Sequence, residues 1–141
     1  MKILFICRAN VGRSQMAEAI FNKLTKKHSA TSAGLEPHEL ENKNINEAKK
    51  VLECMKEIGC NLENKISKRL TKVMVENADK IIILGEKNNW PSFLENTDKI
   101  EYWEVEDAVY KNLEGHRKVR DEIKLAVERL IEILERKQLT L

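Results

Sequence analysis

The amino-terminal stretch, residues 2–21, commits the chain to a strand, a tight loop and a helix in immediate succession. Ile3, Leu4, Phe5 and Ile6 form an unbroken apolar run of the kind carried by a strand buried on both faces. Cys7 ends that run. The loop Cys7-Arg8-Ala9-Asn10-Val11-Gly12-Arg13-Ser14 comes next, and Gln15-Met16-Ala17-Glu18-Ala19-Ile20-Phe21 starts a helix at once. A strand of this type needs helices on both sides of its sheet, which points to an α/β architecture.

The same loop has chemical consequences. Successive backbone N–H groups in a short curled loop point inward and make an anion cradle. The helix N-terminus adds partial positive charge at that point. Arg13 can hold two oxyanion oxygens bidentately. Each of these favours thiolate over thiol at Cys7, and Ser14 is placed to donate its hydroxyl to the sulfur. The spacing of five residues between Cys7 and Arg13 lets the chain curl once around a tetrahedral oxyanion. The expected socket therefore consists of Arg8, Ala9, Asn10, Val11, Gly12, Arg13 and Ser14, with the nucleophile Cys7 at its base.

The rest of the chain alternates in the same way. Strands are predicted near residues 2–6, 30–32, 80–84 and 99–103. Helices are predicted near residues 14–27, 44–58, 71–76 and 115–136. The first carries Ala17, Ile20, Phe21 and Leu24 at helical spacing. The second carries Ile45, Ala48, Val51, Leu52, Met55 and Ile58, with Gly59 as its stop. The last carries Val119, Ile123, Val127, Leu130 and Leu134. Four apolar strands between amphipathic helices predict a parallel sheet in a three-layer α/β fold, with the phosphate-binding loop after the first strand. Ligands of such sheets bind outside the carboxyl ends of the strands, where Cys7 falls. At 141 residues, with no linker, repeat or low-complexity tract, residues 1–141 are expected to form a single domain.

Cys7 to Phe21, CRANVGRSQMAEAIF, resembles the phosphate-binding loop and first helix of the low-molecular-weight protein tyrosine phosphatases. It is also similar to the arsenate reductases that share that fold. Weaker echoes follow in the family's order: Thr31-Ser32-Ala33-Gly34, Ala78 to Leu84, and Trp103-Glu104-Val105-Glu106-Asp107. The resemblance implies a phosphomonoester hydrolase, a protein tyrosine phosphatase, working through a phosphocysteine on Cys7. It implies Asp107 as the general acid that protonates the leaving group and later activates water. Members usually have proline after this aspartate, where this chain has Ala108. Glu104 and Glu106 are rival carboxylates. The resemblance also implies that Asn10, left-handed in backbone, bonds to Ser32 and, with Ser14, supports the loop. A histidine that many members add to this brace aligns with Ile66. Tyrosine-specific members carry aromatics after the Ser-Ala-Gly segment and after the acid. Here those places read Leu35-Glu36-Pro37-His38 and offer only Tyr110.

Three classes of function stay open: a hydrolase, an arsenate reductase using an external thiol, and a non-hydrolytic phosphate-binding or phosphoryl-carrier module. Thioredoxin-linked reductases of this fold carry two further cysteines in and after the third strand's end, and residues 85–91 contain none. Cys54, off the apolar stripe of its helix, and Cys60 are expected to be structural. His28, His38 and His116 lack ligand spacing, so neither a metal nor another cofactor is expected. The net charge of +2 and the lack of a basic block argue against nucleic acid. No stretch is long enough for a membrane span, and Arg8 cuts short any signal-like start. A catalytic thiolate needs reducing surroundings, so a cytoplasmic location is expected. The expected partner is a phosphorylated protein or a small phosphomonoester.

Overall fold

The apolar runs pair with one another, and the amphipathic segments cover them. In the computed structural model, which describes residues 1–87 and 90–139, the elements run β1 (Lys2–Cys7), α1 (Arg13–Leu24), β2 (Ser29–Gly34), α2 (Lys49–Lys56), α3 (Lys72–Asn77), β3 (Lys80–Leu84), α4 (Ser92–Glu95), β4 (Ile100–Trp103) and α5 (Leu113–Leu139). The strands form a 4-stranded sheet in the order β2-β1-β3-β4, and every pairing is parallel. This is the expected fold class.

Alternation along the strands builds the three layers. Ile3 and Phe5 of β1 and Ile82 and Leu84 of β3 pack with Ile20 and Phe21 of α1, Met55 of α2 and Ile123 of α5. The intervening Leu4, Ile6, Ile81 and Ile83 pack on the other face with Val75 of α3 and Leu94 of α4. Burial on both faces is why these strands read as continuous apolar runs. Because all strands are parallel, their carboxyl ends share one edge, with Cys7 opposite Gly34 and Leu84 opposite Trp103. Strand order reverses at β1, whose neighbours are β2 on one side and β3 on the other. The loop after β1 therefore opens at the switch point of the sheet.

Several boundaries differ from expectation, each for a local reason. α1 stops at Leu24 because Thr25 is extended, and the Thr25 hydroxyl accepts the Lys27 N–H at 3.3 Å. Leu24 is consequently exposed rather than part of the apolar stripe. The helix expected from residue 44 begins only at Lys49. Residues 41–45 instead bond to the 65–67 segment: the Asn42 N–H goes to the Ser67 carbonyl at 2.8 Å and the Ile45 N–H to the Lys65 carbonyl at 2.9 Å. The expected stop holds, since Gly59 has φ 79 and the Cys60 N–H returns to the Met55 carbonyl. α4 escapes a periodicity search because it is only 4 residues long. Asn88 and Asn89, within the cysteine-free 85–91 segment, lie outside the described residues.

Cys54 corrects the reading of α2. It is fully buried, because α5 packs on the flank of α2 that the sequence reading leaves to solvent. Arg120 of α5 donates to the Cys54 carbonyl at 2.8 Å. Glu57, at the end of α2, joins the same contact. Hydrogen bonds from Arg117, then Arg120, hold its carboxyl down at about 2. The carboxylate form is favoured by folding, so this stability is present above pH 4.5 and fades as pH falls toward 2. Glu57→Gln is expected to flatten the acid limb of a melting-temperature profile over that window. An unchanged acid limb would mean that the α2–α5 ion pairs contribute nothing measurable. No helix among the described residues is long and apolar enough to cross a membrane.

Candidate active site

The loop from Cys7 to Arg13 is shaped by a left-handed residue and held by buried polar groups. Asn10 has φ 57, a conformation that asparagine tolerates better than most residues. Its side chain is wholly buried. The Lys68 N–H, which can only donate, lies 2.9 Å from Asn10 Oδ1, so the amide orientation is fixed. The Nδ2 protons then go to Ser14 Oγ at 2.8 Å and Ser32 Oγ at 2.9 Å. Ser32 passes its own proton to Glu18 Oε1 at 2.8 Å. Ser14 Oγ, which accepts from Asn10, also lies 3.0 Å from Cys7 Sγ, and its proton is free to go to the sulfur when the sulfur is a thiolate.

The sequence reading includes Asn10, Ser14 and Ser32 but not their supports. Gln15 Nε2 donates to the Asn10 carbonyl and to the Ile66 carbonyl, at 3.2 and 3.1 Å. Ser67 Oγ donates to the Ala9 carbonyl at 2.9 Å. With Ile66 in place of a histidine, backbone groups of the 66–68 segment and the Ser67 hydroxyl brace the loop. One signal was available: Ser14 and Glu18 stand four apart beside the buried Ala17 and Phe21, so a polar pair had to face the interior.

Two glycines set the clearances. A Cβ on Gly34 would lie 2.8 Å from the Ala9 carbonyl carbon and 3.0 Å from the Asn10 nitrogen. Both are backbone atoms and cannot swing aside. Gly34→Ala is therefore expected to displace the loop, with a penalty of about 1–3 kcal/mol for overpacking. Its thermal midpoint should fall, and its affinity for inorganic phosphate should drop about tenfold by calorimetry. Wild-type affinity in this variant would show that the loop accommodates the methyl. Gly85, at the end of β3, has φ 140, and a Cβ there would lie 2.8 Å from Arg13 Nη1. The glycine leaves space for the arginine.

Arg13 is 4% exposed, and its Nη1 donates to the Val105 carbonyl at 2.9 Å. Its Nη2 lies 3.4 Å from Asp107 Oδ2, and the same oxygen takes a hydrogen bond from Arg8 at 2.9 Å. Asp107 Oδ1 accepts the Val109 N–H at 3.0 Å. The missing proline is compensated: Val105 and Ala108, on either side, are both buried in the core. Glu106 points away, 73% exposed and paired with Lys111 at 3.1 Å. Glu104 is also exposed and, like Glu106, does not line the cavity.

Cys7, Arg8, Ala9, Val11, Gly12, Arg13 and Asp107 line one cavity of about 380 Å³. Asn10 and Ser14 stand behind it. The outer walls combine apolar side chains, chiefly Met16, Val51, Val109 and Val119, with the polar His38, Glu47, Lys49, Lys50 and His116. Tyr110 is 98% exposed and is not part of the lining, so the one aromatic expected there does not wall the cavity. Among the described residues, no three His, Cys, Asp or Glu side chains gather as a metal site.

Comparison with known proteins finds relatives along nearly the whole chain. Arsenate reductase of Staphylococcus aureus is 35% identical over 129 residues, covering 89% of this chain and 92% of that protein. Arsenate reductase 2 of Staphylococcus haemolyticus is 36% identical over the same length. Among solved structures, the low molecular weight protein tyrosine phosphatase from T. tengcongensis superposes with a TM-score of 0.80 at 28% identity, covering 94% of this chain and 98% of that one. The YwlE arginine phosphatase from Geobacillus stearothermophilus does so with a TM-score of 0.80 at 25% identity, covering 99% and 96%. Residues 2–139 match the sequence profile of one family across nearly the whole chain. The chain belongs to the low molecular weight phosphotyrosine protein phosphatases, a family of cysteine-based phosphatases and related enzymes.

Proposed function

We propose that this chain is a phosphomonoester hydrolase of the protein tyrosine phosphatase type, acting as a single domain over residues 1–141. The observation that carries the reading is that Cys7, Arg13 and Asp107 line one cavity, with the Asp107 carboxylate beside the guanidinium. In the first step the Cys7 thiolate attacks phosphorus and the ester P–O bond breaks. Asp107 delivers its proton to the departing oxygen. The amides from Arg8 to Ser14 and the Arg13 fork hold the three non-bridging oxygens as charge redistributes among them. In the second step a water molecule gives a proton to the Asp107 carboxylate and attacks phosphorus. The P–S bond breaks, leaving inorganic phosphate and the Cys7 thiolate. The substrates are phosphorylated proteins or small phosphomonoesters, met in a reducing compartment such as the cytoplasm.

A second reading is favoured by the names of the curated relatives. Arsenate has the shape and charge of phosphate, and Cys7 can attack it in the same socket. Reduction then requires a further thiol to take the oxidised arsenic or sulfur forward in every cycle. Burial pushes the Cys54 thiol up to about 11 and raises Cys60 as well, which makes both poor nucleophiles. An external thiol would have to serve. The test runs p-nitrophenyl phosphate, phosphotyrosine and phosphoarginine beside a thioredoxin-coupled arsenate assay on one preparation. Ester hydrolysis that is unchanged in a Cys54→Ser, Cys60→Ser double variant, with negligible coupled arsenate turnover, is the expected result. Robust arsenate turnover lost in that double variant, without ester hydrolysis, would overturn the reading.

A further inference from the structure

The cavity contains a polar group that the proposed chemistry leaves unused. His116 stands in the first turn of α5, is 5% exposed, and lines the cavity beside Met16, Val51 and Val119. Its Nδ1 lies 2.9 Å from the Asn112 carbonyl oxygen. A carbonyl can only accept, so Nδ1 carries a proton and donates it. In the neutral ring Nε2 is then an acceptor. Among the described residues nothing bonds to Nε2, and the enclosed side-chain nitrogen without a partner is that of His28 instead. Nε2 of His116 is therefore not enclosed, and the residue that carries it lines the cavity. An acceptor set beside Met16, Val51 and Val119 can orient a bound molecule, because a ligand lacking the matching donor leaves it unpaired.

We propose that His116 is a specificity-determining residue, accepting a hydrogen bond from an O–H or N–H on the leaving group. Preferred substrates are then phosphomonoesters whose leaving group carries such a donor beyond the ester oxygen, a hydroxyl or a peptide amide. The proposal rests on the hydrolase reading, and its test keeps the two apart. Hydroxyphenyl and methoxyphenyl phosphates, substituted at the 3- or 4-position, differ in this donor while their leaving groups are electronically similar. Wild type is expected to prefer the hydroxy member of at least one pair by about 5- to 10-fold in kcat/KM, the usual worth of one hydrogen bond. His116→Phe, which keeps the ring volume, should remove the preference. His116→Gln, which restores an acceptor oxygen, should recover part of it. Calorimetry of hydroxy- and methoxybenzylphosphonates tests the same contact without turnover. Equal treatment of both pairs by wild type in both assays, or a preference that survives in His116→Phe, overturns the assignment. If no ester is hydrolysed while the hydroxybenzylphosphonates still bind more tightly through His116, the hydrolase reading fails and the recognition role stands.

Discussion

Replacing Cys7 with serine is expected to abolish turnover while leaving oxyanion binding in place. In the proposed mechanism the attacking atom is the sulfur, and a serine hydroxyl at the same position is a far weaker nucleophile near neutral pH. Hydrolysis of p-nitrophenyl phosphate should fall below about 1% of wild type, the scale of loss seen when a catalytic nucleophile is removed. The socket does not depend on the sulfur. Its amides, the Ser14–Asn10–Ser32–Glu18 hydrogen bonds and the buried Arg13 all remain when that atom is replaced. Phosphate and vanadate should therefore still bind, measured by calorimetry. Arg13→Lys makes the contrast, because an ammonium cannot supply the planar fork and both binding and rate should drop. Turnover of several per cent in Cys7→Ser would remove the covalent mechanism.

The centre of the sheet was legible because β1 and β3 are buried on both faces, and that burial writes itself as apolar runs. The residues 80–84 expected as a strand coincide with β3 for this reason. The loop was legible because tight curvature around an anion needs particular residues at particular places. Asn10 is left-handed and bonds to Ser32, as the resemblance implies. Long-range pairing was not legible. Nothing local says that the Asn42 and Ile45 N–H groups go to the 65–67 segment, so helical spacing there misled. Cys54 is structural as expected, but its burial was not legible, because the second flank of α2 is covered by α5, which is distant in sequence. The scarcity of aromatics after Asp107 was legible, but which way Tyr110 faces was not, and it turns to solvent. His116 was passed over for want of metal-ligand spacing, whereas its interest lies in one carbonyl partner and one open nitrogen.

Asp107→Asn is expected to slow hydrolysis of esters with poor leaving groups by about 100-fold or more, the usual worth of general acid catalysis. An amide has no proton to give a departing alkoxide or phenoxide, yet it keeps the size of the carboxylate. The Val109 N–H can still be accepted by the amide oxygen, so the loop between the buried Val105 and Ala108 should hold its place. The loss should therefore shrink as the leaving group becomes more acidic, nearly vanishing when it departs without a proton. A series of aryl phosphates measures this directly, as a steeper dependence of kcat/KM on leaving-group basicity in the variant than in wild type. Arg8 and Arg13 share the Asp107 oxygen in the free protein, at 2.9 and 3.4 Å. In the proposed mechanism a bound phosphoryl group would compete for Arg13 and leave Arg8 as the tether of the carboxyl. Arg8→Gln should accordingly weaken catalysis of poor leaving groups more than of good ones, a smaller copy of the Asp107→Asn pattern. A uniform loss across the series in Asp107→Asn would assign the residue to binding alone. A harmless Asp107→Asn beside a crippling Glu106→Gln would contradict the present geometry, since Glu106 turns outward to Lys111.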